Sequence, residues 1–104
     1  MSDPLARQKQ MVAQYPENEL ARFSLGKALF DQGEFAEALE HLNKALSKRS
    51  DWMVVQILLG KCHLQLGDKF AARTALEQAM QLAIDQHHEG PQSEIQEMLY
   101  LLNT

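Results

Sequence analysis

Apolar residues return every three to four positions along most of this chain and almost nowhere at every second one. The first spacing predicts amphipathic helices and the second half-buried strands, so the pattern reads as all-α. From about Pro4 to Tyr15, Leu5, Met11, Val12 and Tyr15 make a modest apolar face. Asp3 is placed to cap this helix, Pro4 to take its first position and Pro16 to stop it. A second helix is predicted from about Glu19 to Gln32. It carries two stripes, one through Leu25, Leu29 and Gln32 and the other through Phe23, Lys27 and Phe30, and Gly33 ends it. A third, from about Glu34 to Lys48, lines up Phe35, Ala38, Leu39, Leu42, Ala45 and Leu46. A fourth runs from about Met53 to Leu66 and stops at Gly67. The fifth starts near Lys69, with Phe70, Leu76, Ala79, Met80 and Ala83 on its buried side. Gly90-Pro91 predicts a break, and Ser93 with Gln96 a capping box. The last helix then covers about Pro91 to Leu102, with Ile95, Met98, Leu99 and Leu102 on one stripe.

The helices are not independent of one another. Residues 19–52 laid over 53–86 match at eight of 34 positions: Leu25/Leu59, Gly26/Gly60, Lys27/Lys61, Gly33/Gly67, Ala38/Ala72, Leu42/Leu76, Ala45/Ala79 and Asp51/Asp85. Chance at ordinary composition gives about two. A fixed period of this length marks a repeat in which each helix pair buries its apolar face against its neighbours. Half of the matched residues are glycine or alanine. Gly26 and Gly60 have no side chain where two antiparallel helices approach, and Ala38, Ala72, Ala45 and Ala79 keep the facing helices close.

Helix, glycine turn, helix, with Leu-Gly at the seventh and eighth places and Ala at the twentieth and twenty-seventh, resembles the tetratricopeptide repeat (TPR). The resemblance extends to small bacterial TPR proteins with two central repeats and a terminal helix. It implies a right-handed superhelical solenoid of antiparallel helix pairs in a single domain. Residues 1–18 would supply the second helix of a degenerate repeat, 19–52 and 53–86 two full repeats, and 87–104 a C-terminal capping helix. Pro16 falls where the family places its terminal proline. The chain departs from the family pattern at the fourth place, usually a large aromatic, which holds Arg22 and Gln56. It departs again at the terminal proline, replaced by Ser50 and Ile84, and at the eleventh place, held by Leu29 and His63.

Members of this family bind protein segments on a concave face lined by the first helix of each repeat. Carried over by place, the lining is Leu20, Phe23, Lys27, Phe30 and Asp31, then Val54, Ile57, Lys61, Leu64 and Gln65. Steps of three and four put each set on one helical face. Lys27 and Lys61 hold equivalent places, which would set them roughly 10 Å apart at ordinary helix spacing. An apolar groove with two ammonium groups suits an apolar peptide bearing a carboxylate. Two readings stand. In one the groove is open to a protein or peptide partner. In the other it is filled by the chain's own terminal helix or by a sister chain, as in a homodimer. The Lys and Asn positions of the clamp that holds chaperone tails are not matched: Phe23 and Lys27 occupy the first places and Leu58 the next.

Charge and composition narrow the function further. A formal net charge of -4 with ten scattered Lys and Arg residues argues against a nucleic-acid partner. No apolar run approaches the ~18 residues of a membrane span. The polar, acidic start lacks the order of a signal peptide, and the lone Cys62 fits a reducing compartment, so a cytoplasmic location is expected. No catalytic constellation is visible, and neither enzyme activity, cofactor nor metal is expected. The neighbours His87-His88 diverge by about 100° on a helix and read as a polar helix end. Cys62 and His63 read as a buried thiol and a core histidine, and His41 as an exposed residue.

Overall fold

The computed structural model describes residues 3–103, which form six α-helices and no strand. They are α1 (Ala6–Gln14), α2 (Glu19–Asp31), α3 (Phe35–Lys48), α4 (Met53–Gln65), α5 (Lys69–Asp85) and α6 (Glu89–Leu102). They form two compact units, the first ending at Ser50 and the second beginning at Asp51. In the first unit α2 packs antiparallel on α3, and α1 lies against α2. In the second, α5 packs on both α4 and α6.

The pairing inside each unit follows from one contact. A Cβ built on Gly26 would stand 2.8 Å from Leu42 Cδ2, and one on Gly60 would stand 2.7 Å from Leu76 Cδ2. Leu42 and Leu76 are fully buried, as are Ala38, Ala72, Ala45 and Ala79. The repeated small residues therefore let a leucine of the second helix lie directly on the backbone of the first.

Side chains that no periodicity marks cap the starts of α2 and α5. Asn18 Oδ1 accepts the N–H of Ala21 at 3.0 Å, and Asp68 Oδ1 accepts that of Ala71 at 3.0 Å. Each satisfies one of the donors left open in a first turn. Asp3 acts one step earlier than expected. Its Oδ1 accepts the N–H of Leu5 at 2.8 Å, so Pro4 lies in the preceding turn and α1 starts at Ala6.

Three helices end alike. The N–H of Gly33 bonds to Phe30 O and that of Glu34 to Leu29 O. Gly67 and Asp68 repeat this on Leu64 and His63, and His87 and His88 repeat it on Ile84 and Ala83. This double closure needs a left-handed residue, and φ is 82° at Gly33, 79° at Gly67 and 58° at His87. The stop between α5 and α6 is therefore His87 and not Gly90-Pro91. Both of those residues lie in the first turn of α6, where the missing N–H of proline costs no hydrogen bond. Ser93 is thus inside the helix, and the expected capping box does not form. A left-handed β-carbon costs about 1–2 kcal/mol, while glycine returns part of that gain as unfolded-state entropy. His87→Gly should therefore raise stability by about 0.5–1 kcal/mol in urea unfolding. A fall in stability would show that the imidazole makes a compensating contact.

Two further expectations are corrected. Phe70 is 78% exposed and does not belong to the buried side of α5. It stands two residues before the buried Ala72, about 200° around the helix. His41 is 9% exposed and not on the outer side of α3, because Arg22 reaches across from α2 to bond it.

Candidate functional site

On α2 four of the five expected residues, Leu20, Phe23, Lys27 and Asp31, line the depressions beside α1. Leu20 is 58% exposed, and Phe23 is half-buried beside it. One turn on, Lys27 Nζ lies 3.2 Å from Asp31 Oδ2, with both side chains more than half exposed. An exposed pair of this kind is worth about 0–1 kcal/mol, so a ligand carboxylate can compete for the ammonium. Phe30 turns inward and meets Phe35 of α3 edge-on, with ring centroids 5.2 Å apart and planes at 69°. It supports the face more than it projects from it.

Helix α1 completes the surface in a way the repeat does not announce. Its four apolar residues split between two directions: Leu5 and Val12 are buried, whereas Met11 is 44% and Tyr15 54% exposed. With Arg7 and Gln8 they form one wall of a groove of about 640 Å³, and Asn18, Leu20, Ala21 and Ser24 form the other. A second depression of about 350 Å³ continues past Gln8 and Ser24 to Phe23, Lys27, Ala28 and Asp31. Gln8 Oε1, buried without a hydrogen-bond partner, stands where the two meet. It offers a polar anchor between the more apolar end of the trough and its charged end. The sequence signal for this wall was present: Met11 and Val12 are neighbours and cannot share one face.

The second unit treats its equivalent residues differently. Val54 is 52% exposed and Gln65 is exposed, but Ile57 is 9% exposed and belongs to a core cluster with Leu76, Ile95 and Leu102. Lys61 Nζ is held 3.0 Å from Glu94 Oε1 of α6. Leu64 packs against the same cluster and lines a depression of about 300 Å³ with Lys69, Met98, Leu101 and Leu102. Helix α6 thus occupies much of the α4 stripe, while Leu20 and Phe23 on α2 keep open space beside them.

Reactive groups are scarce. Cys62 is fully buried, and burial pushes its thiol up to about 11, far from the thiolate a nucleophile needs. His63 is half-buried rather than a core residue. No cluster of three or more His, Cys, Asp or Glu able to hold a metal ion occurs among the described residues. No helix among them is long and apolar enough to cross a membrane.

Comparison with known proteins agrees with this geometry. Two family models described as tetratricopeptide repeat match residues 29–85 and 5–52. A TPR repeat-containing protein of Pseudomonas aeruginosa is 36% identical over 75 residues, covering 72% of this chain and 71% of its own. The solution structure of a Bordetella parapertussis protein superposes with a TM-score of 0.85 at 33% identity, covering 99% of this chain and 90% of that one. PcrH of Pseudomonas aeruginosa, crystallised with the chaperone binding region of PopD, superposes with a TM-score of 0.88 at 21% identity. That match covers 95% of this chain and 75% of the other. A glycine-on-leucine contact repeated at 34 residues, matching models that together span 5–85 and a relative above 30% identity point one way: this chain belongs to the tetratricopeptide repeat family.

Proposed function

We propose that the protein is a non-catalytic cytoplasmic interaction module that binds a segment of another protein. The open α2 face with the adjoining α1 groove is the main contact. Leu20 and Phe23 are the apolar anchors, Lys27 orients a carboxylate in exchange with Asp31, and Phe30 braces the face from below. On α4, Val54, Lys61, Leu64 and Gln65 form the accessory contact, with Ile57 beneath them. The observation that carries this reading is the continuous trough from Tyr15 to Asp31, apolar at one end and charged at the other. The same fold in PcrH was crystallised with a segment of PopD, which illustrates the use of the fold but lends this chain no particular partner.

Selection of peptides by display against the wild-type protein, followed by fluorescence anisotropy on the selected sequences, tests the site. Leu20→Asp and Phe23→Ala should each weaken binding about tenfold or more, the loss expected of a buried anchor. Phe70→Ala, at an exposed aromatic that lines neither depression, should change nothing. Selected peptides that bind Leu20→Asp as tightly as wild type would place the site elsewhere.

A further inference from the structure

Helices α1 and α6 are opposite in charge and complementary in role. Within Ala6–Gln14 the charged residues are Arg7 and Lys9, a charge of +2. Within Glu89–Leu102 they are Glu89, Glu94 and Glu97, a charge of -3. Lys9 is engaged by Asp3 and Glu94 by Lys61, whereas Arg7 and Glu97 join no ion pair among the described residues. Apolar groups lie close to both unpaired charges. Arg7 shares a groove wall with Met11 and Tyr15, and Tyr100, one turn from Glu97, is 68% exposed.

The repeat explains why these two faces should fit. Helix α1 stands before Pro16, in the place of a second helix, and α2 packs on it as the first helix of the next repeat. Helix α6 packs on α5 in the same relation. A second helix in this architecture is flanked by two first helices: α5 has α4 on one side and α6 on the other. Among the described residues α1 has only α2, and the trough along Arg7, Met11 and Tyr15 is where the other flanking helix would lie. A helix there must be amphipathic, acidic toward Arg7 and aromatic or aliphatic toward Met11 and Leu20. Helix α6 meets that description.

We propose that the α1 trough docks α6 of a second copy of this chain, with Tyr100 set among Met11, Tyr15 and Leu20 and Glu97 paired with Arg7. The contact joins unlike surfaces, so every copy carries one donor helix and one acceptor trough. This rests on the preceding reading of the trough as protein-binding and names its occupant.

Sedimentation equilibrium of the full chain, from micromolar to millimolar concentration, tests the docking directly. The mass should rise above the 11.8 kDa monomer with concentration and rise less at high salt, which screens the charge pair. Arg7→Glu and Glu97→Arg should each weaken association about tenfold, because like charges then face one another. Both sites are exposed, and unchanged circular dichroism will verify the fold. The deciding sample mixes the two variants. The unaltered α6 of Arg7→Glu fits the unaltered trough of Glu97→Arg. At the other contact the two reversed charges face each other with opposite sign, so the mixture should regain association toward that of the wild type while each variant alone stays weak. A monomer at every concentration, or association indifferent to both reversals, overturns the proposal. Peptide capture that is lost in Leu20→Asp while the chain stays monomeric would overturn self-docking alone and leave the trough a site for other proteins.

Discussion

Gly60→Val should cost about 3 kcal/mol, toward the upper range of overpacking penalties and a large share of the ~5–15 kcal/mol that holds a small domain together. The first added carbon alone would stand 2.7 Å from Leu76 Cδ2 and 2.9 Å from Leu76 Cγ. Leu76 is fully buried and packed in the cluster with Ile57, Ala79 and Ile95, so it cannot swing aside without displacing them. The gain in helix propensity on replacing glycine, under about 1 kcal/mol, does not offset this. Gly26→Val should behave the same way against Leu42, where the distances are 2.8 and 2.9 Å. Chemical denaturation of the single and paired variants checks the cause. Leu76→Ala alone should cost about 2–5 kcal/mol, yet Gly60→Val added to it should cost far less than in the wild type, giving a coupling of about 0.5–3 kcal/mol. Additive effects would mean that Gly60 is needed for something other than room for Leu76. Gly90 serves as the control: nothing lies within 4 Å of its added Cβ and its φ is ordinary, so Gly90→Ala should not destabilise.

The contrast among these glycines shows what a single sequence can convey about the fold. A residue that returns at 34 positions does so because the same contact is made twice, and Gly26, Gly60, Leu42 and Leu76 could be read as packing from the period alone. Contacts made once leave no such echo. His87 closes α5 in the geometry of Gly33 and Gly67, but a histidine signals a left-handed turn far more weakly than a glycine does, so the sequence points to Gly90-Pro91 instead. Proline two residues inside a helix start is as compatible with the chain as proline at a break, and only the position of the cap distinguishes them. Phe70 misled for a related reason. Phe35 packs on Phe30 at the start of α3, but its equivalent place in α5 is Lys69, and Phe70 lies one residue and about 100° beyond it.

The candidate site divides along the same line. Periodicity assigns Phe23 and Ile57 the same role, and their places on α2 and α4 are indeed equivalent. What differs is the neighbour. Ile57 is covered because α6 contributes Ile95 and Leu102 to its cluster, and Lys61 is engaged because α6 presents Glu94. Helix α6 follows α5 in the chain as α4 follows α3, but α5 runs 17 residues where α3 runs 14, so the register of α6 is shifted against the period. The repeat therefore identified the two stripes but not which of them stays open. The α1 wall lies outside the two repeats that align, so the period assigns it no role.

The two departures from the family pattern at the fourth place support the second large prediction. Both polar residues face the second helix of their own unit. Gln56 Nε2 donates to Ala75 O at 3.3 Å and to Gln78 Oε1 at 3.1 Å. Arg22 Nε donates to Pro16 O at 2.9 Å, and its Nη1 lies 3.0 Å from His41 Nδ1. His41 and Ala75 are themselves one period apart, so the units solve the same problem with different pairs. Because a guanidinium only donates, His41 must be neutral and accept through Nδ1. Burial, and then the Arg22 charge, hold its pKa below the ordinary 6.5. Glu37 and Glu40 oppose this without reversing it.

The sign of the pH dependence follows. Above pH 6.5 His41 is neutral in both folded and unfolded chains, and its contribution is complete. Below 6.5 the unfolded chain takes up the proton first, so stability falls with pH until the folded histidine also titrates. Arg22→Ala should cost about 1–3 kcal/mol at neutral pH by leaving a buried acceptor unsatisfied. It should also flatten the acid limb, since one cause of the depressed pKa is gone. Replacing the first pair by the second, Arg22→Gln with His41→Ala, should recover most of the lost stability, because the amide can donate to the carbonyl at position 41 as Gln56 does at 75. The doubly substituted chain should lose this component of the dependence between pH 7.5 and 5 in urea titrations. A double variant that keeps the full wild-type acid limb would show that groups other than His41 govern it.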